Sequence, residues 1–274
     1  MNPATHELYA SIAVALARLG EPRVSDQSVH EARKALKKAR AALRLLRPGL
    51  EPAAYRAENA LLRDAARSLA PLREPKSMLD ALAALRRRDP GALPDVVLVR
   101  VMRELRAEKK RVARDRSGRQ AALGTCIRLL KQSLARAEQA DFAGIGEKPL
   151  AKGMRRIYRK GRHALAQARA SRAPEALHEW RKQSKYLLNA LETLYGARGG
   201  KARKTTRRAE RLADRLGDDH DLDALAGHAQ GLRSLQALIA KRRAKLQEQA
   251  FALGEKLYRE KPKSFLRKQP TSSS

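Results

Sequence analysis

Cysteine occurs once in 274 residues, at Cys126, so the chain can build neither an internal disulfide framework nor a cysteine-based zinc site. Aromatic residues make up only 4%, too few for the stacking platforms that grip single-stranded nucleic acid. Strand formers cluster only in "VVLVRVM", Val96–Met102, and that run passes into "RELRAEKKRV" at helical spacing. No stretch approaches the about 18 uncharged apolar residues that a membrane span needs. The opening "MNPATHELYASIAVALARLG" has no basic leader ahead of an apolar core and reads as an amphipathic helix instead of a signal peptide, which makes a reducing cytoplasm the expected compartment. Acidic residues are also scarce. Lys and Arg number 60 against 29 Asp and Glu, a formal net charge of +31, and self-repulsion on that scale implies a polyanionic partner.

What the chain does have is helix-forming residues. Hydrophobic residues reach 43%, many of them alanine, and Ala, Leu, Arg, Lys, Glu and Gln fill the segments between Pro- and Gly-rich breaks. Breaks at Gly20–Pro22, Pro48–Pro52, Pro71–Pro75, Asp89–Pro94, Ser117–Gly118, Gly144–Pro149, Ser171–Pro174, Gly196–Gly200 and Gly217–Asp219 predict about ten helices and an all-α fold. Cys126, in "LGTCIRLL", reads as a buried small hydrophobe. The polar "KPKSFLRKQPTSSS" predicts a disordered basic tail over 261–274.

One segment occurs twice. "SVHEARKALKKARAALRLL", Ser28–Leu46, is answered by "LHEWRKQSKYLLNAL", Leu177–Leu191. Displaced by 148 positions, His30 meets His178, Arg33 meets Arg181, Lys34 meets Lys182, Lys37 meets Lys185 and Leu43 meets Leu191. "SLAPLREPKSMLDAL" and "RLGDDHDLDAL" repeat more loosely downstream. The repeat predicts an N-terminal helical bundle over 1–140 and a C-terminal one over 141–260, two related halves.

At about 100° per residue, His30, Arg33, Lys34, Lys37 and Arg44 fall on one face of the first helix, with Ala32, Leu36, Ala39, Leu43 and Leu46 opposite. In the second copy His178, Arg181, Lys182 and Lys185 oppose Leu177, Trp180, Leu187, Leu191 and Leu194. Either Ser25 or the Ser28/Glu31 pair fits as the first helix's cap, and Pro174 suits the first turn of the second. In "LAKGMRRIYRKGRHALAQA" Lys152, Arg155, Arg159 and Arg162 share a side, with Gly161 across from them to admit a neighbouring helix. "KARKTTRRAERLADRL" adds Lys204, Arg208 and Arg211 among other cations, so the basic surface is expected to be richer in the second half. Like charges one turn apart cost about 0.2–0.5 kcal/mol per pair, a repulsion that a polyanion would relieve.

Other motifs fail on inspection. "GDDHDLDAL", Gly217–Leu225, lacks the glycine and the final glutamate of a calcium loop, so its aspartates read as caps for a following helix. "GARGGK", Gly196–Lys201, lacks the Ser or Thr of a P-loop and follows a helix instead of a strand. No metal ligand set, cofactor motif or nucleophile–base arrangement emerges, and no enzymatic activity is expected.

"VHEARKALKKARAAL", "LHEWRKQSKYLLNAL" and "LGDDHDLDAL", with "MRRIYRKGRHAL", resemble the CHAD domain, the conserved histidine α-helical domain, over about residues 3–260. The resemblance implies two pseudo-symmetric helical bundles with a basic cavity or groove between them. It also implies binding of inorganic polyphosphate and association with polyphosphate granules. On that resemblance His30, Arg33, Lys34, Lys37 and Arg40 contact the polymer from the first motif, and His178, Arg181, Lys182 and Lys185 from the second. The chain departs from the family in having Glu74–Pro75–Lys76 where an Arg-Asp-x-Asp run is usual, and His220 where Asn is usual. The ExExK strand of the triphosphate-tunnel enzymes fused to many relatives is missing. Non-specific binding of a nucleic-acid backbone is the alternative reading of the same charge.

Overall fold

The computed structural model describes residues 1–139, 142, 144–196 and 200–268. Eleven α-helices occupy them, with no strand among the described residues: α1 (Pro3–Leu19), α2 (Asp26–Leu46), α3 (Pro52–Ser68), α4 (Glu74–Arg88), α5 (Asp95–Arg114), α6 (Arg116–Gln139), α7 (Glu147–Ser171), α8 (Pro174–Tyr195), α9 (Gly200–His228), α10 (Arg233–Leu257) and α11 (Pro262–Arg267). The expected boundary at 140/141 and the middle of "GARGGK" lie outside the described residues.

Local signals set most of the ends. Asn2 caps α1 by accepting from the Thr5 N–H at 2.9 Å, and its own amide donates to the Phe142 and Ile145 carbonyls. Ser25 is the cap of α2, in a reciprocal box with Ser28: each side-chain oxygen accepts the other residue's N–H. The break near Ser117 falls at Asp115, whose Oδ1 accepts from the Gly118 N–H at 2.8 Å. Arg172, at φ 55°, ends α7 in the left-handed conformation, and two residues later Pro174 opens α8.

Two expectations about chain ends and breaks are corrected. α9 runs unbroken for 29 residues through Gly217–Asp219. Asp219 caps nothing; it is buried at mid-helix, where Arg243 and Gln247 of α10 both donate to its Oδ1 at 3.0 Å. Two donors from a neighbour outweigh the local tendency of Gly and Asp to break a helix. The tail folds as far as α11, because Phe265 is apolar enough to bury and stacks on Tyr158 with ring centroids 3.9 Å apart. Residues 269–274 lie outside the described residues.

The apolar faces gather into two clusters that do not follow the repeat. The larger draws on α1, α2, α3, α6, α7 and α8, the first part of α9, the last part of α10 and Phe265, and it includes Cys126. The smaller joins Met78, Leu82 and Leu85 of α4 and Leu98, Val101 and Leu105 of α5 to the end of α9 and the start of α10. Both sequence halves therefore contribute to each core. The two repeated helices, α2 and α8, pack directly on each other inside the larger one, and α7 also packs on α2.

Candidate functional site

Packing α8 on α2 brings their charged faces together. Arg33 and Lys37 of α2 lie within each other's field and within that of Arg181 on α8, and Lys185 acts on Lys37 as well. Lys37 keeps solvent contact yet is set deep among protein atoms. That burial, and then Arg181, Arg33 and Lys185, push its ammonium down to about 8. Burial likewise lowers Arg33, Arg181 and Lys185 from their ordinary values. Four cations are thus held close together, with Arg181 making Arg33, Lys37 and Lys185 harder to charge.

Paired carboxylates stand on the α8 side, while on α2 Glu74 acts on Arg33 and Asp221 on Lys37 without forming an ion pair. Lys182 pairs with Glu179 of its own helix at 2.6 Å, and Lys185 stands 4.0 Å from Asp214 of α9. Asp221 of α9 acts on Arg181 and Lys37, and its own carboxyl is pushed up by burial, an effect these cations oppose. Among the described residues no ion pair joins Arg33, Lys34, Lys37, Arg40 or Arg44 to a carboxylate. Arg33 donates instead to the Ala66 carbonyl at 3.3 Å.

The site continues toward the C-terminal end of α2. Arg44 donates to Tyr55 Oη at 3.1 Å and to Asn59 Oδ1 at 3.0 Å, with its guanidinium 3.9 Å from the Tyr186 ring centroid. Arg40 reaches the same ring at 5.8 Å, and its buried Nε has no partner. Arg47, just past α2, covers Tyr55 at 4.5 Å. α7 adds Arg156 and Lys160, both lowered by burial first and then by neighbouring cations that include Arg44 and Arg47.

The histidines sit differently. His30 is exposed, and its Nδ1 accepts from Arg73 Nε at 3.4 Å, which leaves the neutral ring's proton on Nε2. His178 faces His220 of α9, ring centroids 5.2 Å apart. Burial and then nearby arginines hold His30 and His178 below the ordinary histidine value, and the same causes push His220 down to about 4. All three are uncharged at neutral pH.

The cations expected on α7 and α9 are mostly exposed, and Arg159 acts on Arg156. No hydrogen bond or ion pair among the described residues joins Lys152, Arg155, Arg159 or Arg162 to α2 or α8, and all but half-buried Arg155 are exposed. The cause is Gly153: a Cβ there would sit 2.1 Å from the Leu45 carbonyl oxygen, so α7 lies on the α2 backbone at this glycine. Arg156 and Lys160, three and seven residues on, share that face. Gly161 does admit a close neighbour, the Tyr258 ring. Arg208 turns to the Lys256 carbonyl at 3.2 Å, Lys204 and Arg211 are exposed, and what α9 offers the site is acidic. No ion pair among the described residues compensates Lys152, Arg155, Arg159, Arg162, Lys204, Arg208 or Arg211 either, so unpaired charge stands on α2 and in the second half alike. Arg47, Arg73, Arg156 and Lys160 escaped the sequence reading. The Gly153-x-x-Arg156 spacing was the one available signal for the last two.

Among the described residues no three of His, Cys, Asp and Glu group as a metal ligand set, and no helix is long and apolar enough to cross a membrane. A search among curated proteins finds no match to the chain. The model of the CHAD domain family matches residues 9–230, most of the chain and both His-headed helices. The match spans the two repeated helices and the cations they bring together: the chain belongs to the CHAD domain family.

Proposed function

We propose that this protein binds inorganic polyphosphate along the charged face shared by α2 and α8, without turning it over. The observation that carries the reading is the convergence of Arg33, Lys37, Arg181 and Lys185, with no carboxylate paired to the two α2 cations. Bound phosphates would supply the missing counter-charge, and arginine grips phosphate through paired donors. Arg40, Arg44, Arg47, Arg156 and Lys160 extend the track, and neutral histidines add N–H donors. Family membership supports the choice of polymer. A cytoplasmic protein recruited to polyphosphate granules fits this binding.

The same charge would attract a nucleic-acid backbone, but Tyr186 and Tyr55 are buried, with Arg44 and Arg47 over them, so neither ring is open for bases to stack on. Competition decides between the polymers. At equal phosphate concentration polyphosphate is expected to displace a labelled polyphosphate far better than duplex DNA or single-stranded RNA, with affinity falling steeply as salt rises. Equal displacement by all three overturns the reading. Changing Arg33, Lys37, Arg181 and Lys185 together to Ala should abolish binding while leaving the helical circular dichroism signal intact.

A further inference from the structure

Beside the first turns of α8 a recess of about 320 Å³ opens between α8, α9 and α10. His178 and His220 stand in it, their ring planes inclined at 52°. Arg181 lines it too, with its Nε buried and without a hydrogen-bond partner. Two of the carboxylates there are already engaged: Arg243 donates its Nε to Asp219 at 3.0 Å and its Nη1 to Asp223. Glu175 lies exposed at the rim. A polymer running along α2 and α8 would use Arg181 but has no need of His220 or of a recess.

We propose that this recess seats the terminal phosphate of a polyphosphate chain, held by His178, His220 and Arg181. The inference rests on the polyphosphate reading and adds to it where the end of the chain lies. A terminal phosphate differs chemically from an interior one. It has an additional free oxygen and, like a phosphate monoester, a second ionisation near pH 6, so at neutral pH it carries nearly two charges and can share a proton. An interior phosphate carries one charge and has no proton to share in this range. Two uncharged imidazoles side by side suit the first group: each can donate an N–H, and each can take up a proton once a dianion lies against them. A volume near the lower end of ligand pockets suits an end group better than a chain passing through.

The surroundings decide the direction of proton movement. His220 is faced by Arg181 and His178 of α8, Lys37 of α2 and Asp223 of its own helix; His178 by Arg181, Lys182, Glu179 and Asp223. In the free protein burial and the cations keep both rings neutral. A bound dianion reverses the sign of that field, so seating the chain end takes up protons and strengthens as pH falls from 8 to 6.

The test uses the whole chain and a linear polyphosphate of one defined, moderate length, with both ends free or both capped as phosphoramidates. Free ends should bind about tenfold more tightly, the worth of a charge-assisted hydrogen bond or two, with the preference growing toward pH 6. His220→Gln should reduce that preference while retaining the capped chain's affinity, whereas His178→Gln, which also removes a donor to the chain itself, should reduce both. Melting temperature checks that both variants fold, and exposed His178 is the safer of the two. Capped and free chains bound equally well would overturn the terminal seat and leave polymer binding standing. Failure of both chains to bind would overturn both readings.

Discussion

α2 and α8 carry the same charges in the same order, yet the structure treats them differently. α2 is packed by α1, α3, α7 and α8, and part of its buried stripe is small: Ala32, Ala35 and Ala39 stand where α8 has Trp180, Gln183 and Leu187. At these three positions close approach leaves α2 room for little more than methyl groups, while Val29, Leu36, Leu43, Leu45 and Leu46 fill the rest of its buried face. α8 meets a wider gap, filled by Trp180 stacked on Phe251 at 5.0 Å. The polar faces diverge too. α8's lysines have Glu179 and Asp214 for company, whereas Arg33 and Lys37 have no paired carboxylate. The repeated sequence sets the same charges on both helices, while the core and the counterions around each differ with its neighbours.

The size difference gives the largest expected effect. Trp180→Ala should destabilise the fold by about 3–5 kcal/mol, since a fully buried indole leaves a cavity that its neighbours only partly fill. At the matching position of α2 the opposite change should hurt: Ala32→Leu should cost about 1–3 kcal/mol through overpacking. Urea melts of both variants check the pair. A tolerated leucine at 32 would mean that α2 is less tightly enclosed than the geometry indicates.

The charge difference predicts a pH effect of intermediate size. Lys37 titrates near 8 in the fold and at its ordinary, higher value when unfolded, so the unfolded chain binds the proton more tightly. The penalty is complete below pH 8 and disappears as pH rises through 8 toward the unfolded pKa, so over that window stability should increase. Because Lys37 keeps solvent contact, screening reduces the effect to on the order of 1 kcal/mol. Lys37→Met should stabilise the ligand-free protein at pH 7, flatten its stability profile above pH 8 and weaken polyphosphate binding. A variant with the parent's pH profile would show that Lys37 does not feel the α8 cations.

Much of this was legible in the sequence, for identifiable reasons. Helix-forming residues at a 3.6-residue period gave the all-α class, and a histidine with three cations repeated at one spacing gave the faces that meet. What could not be read depended on partners distant in sequence. Gly217 and Asp218 look like a helix end until Arg243 and Gln247 are seen holding Asp219. Gly153 and Gly161 look equivalent, yet eight residues put them about 80° apart on the helix, and only the first lies on α2. Gly161 points to Lys152, Arg155, Arg159 and Arg162, and the contact at Gly153 adds Arg156 and Lys160.

The smallest predicted effect tests the comparison most directly, because it makes α8 resemble α2. Asp214 stands 4.0 Å from Lys185 with more than half of its side chain exposed, so it screens the lysine without fixing it firmly. Asp214→Asn removes that counter-charge and leaves a residue of nearly the same shape. An incoming polyanion then has no carboxylate to displace, and affinity should rise about two- to fivefold, in keeping with the roughly 0.2–1 kcal/mol of an exposed ion pair. The gain should shrink as salt rises, since added ions screen Asp214 as they screen the ligand. Glu255→Gln, at the Arg169 pair away from this face, serves as the control and should leave affinity unchanged. If Asp214→Asn instead weakens binding, Asp214 positions Lys185 for the ligand, and the α8 carboxylates belong to the binding machinery rather than masking it.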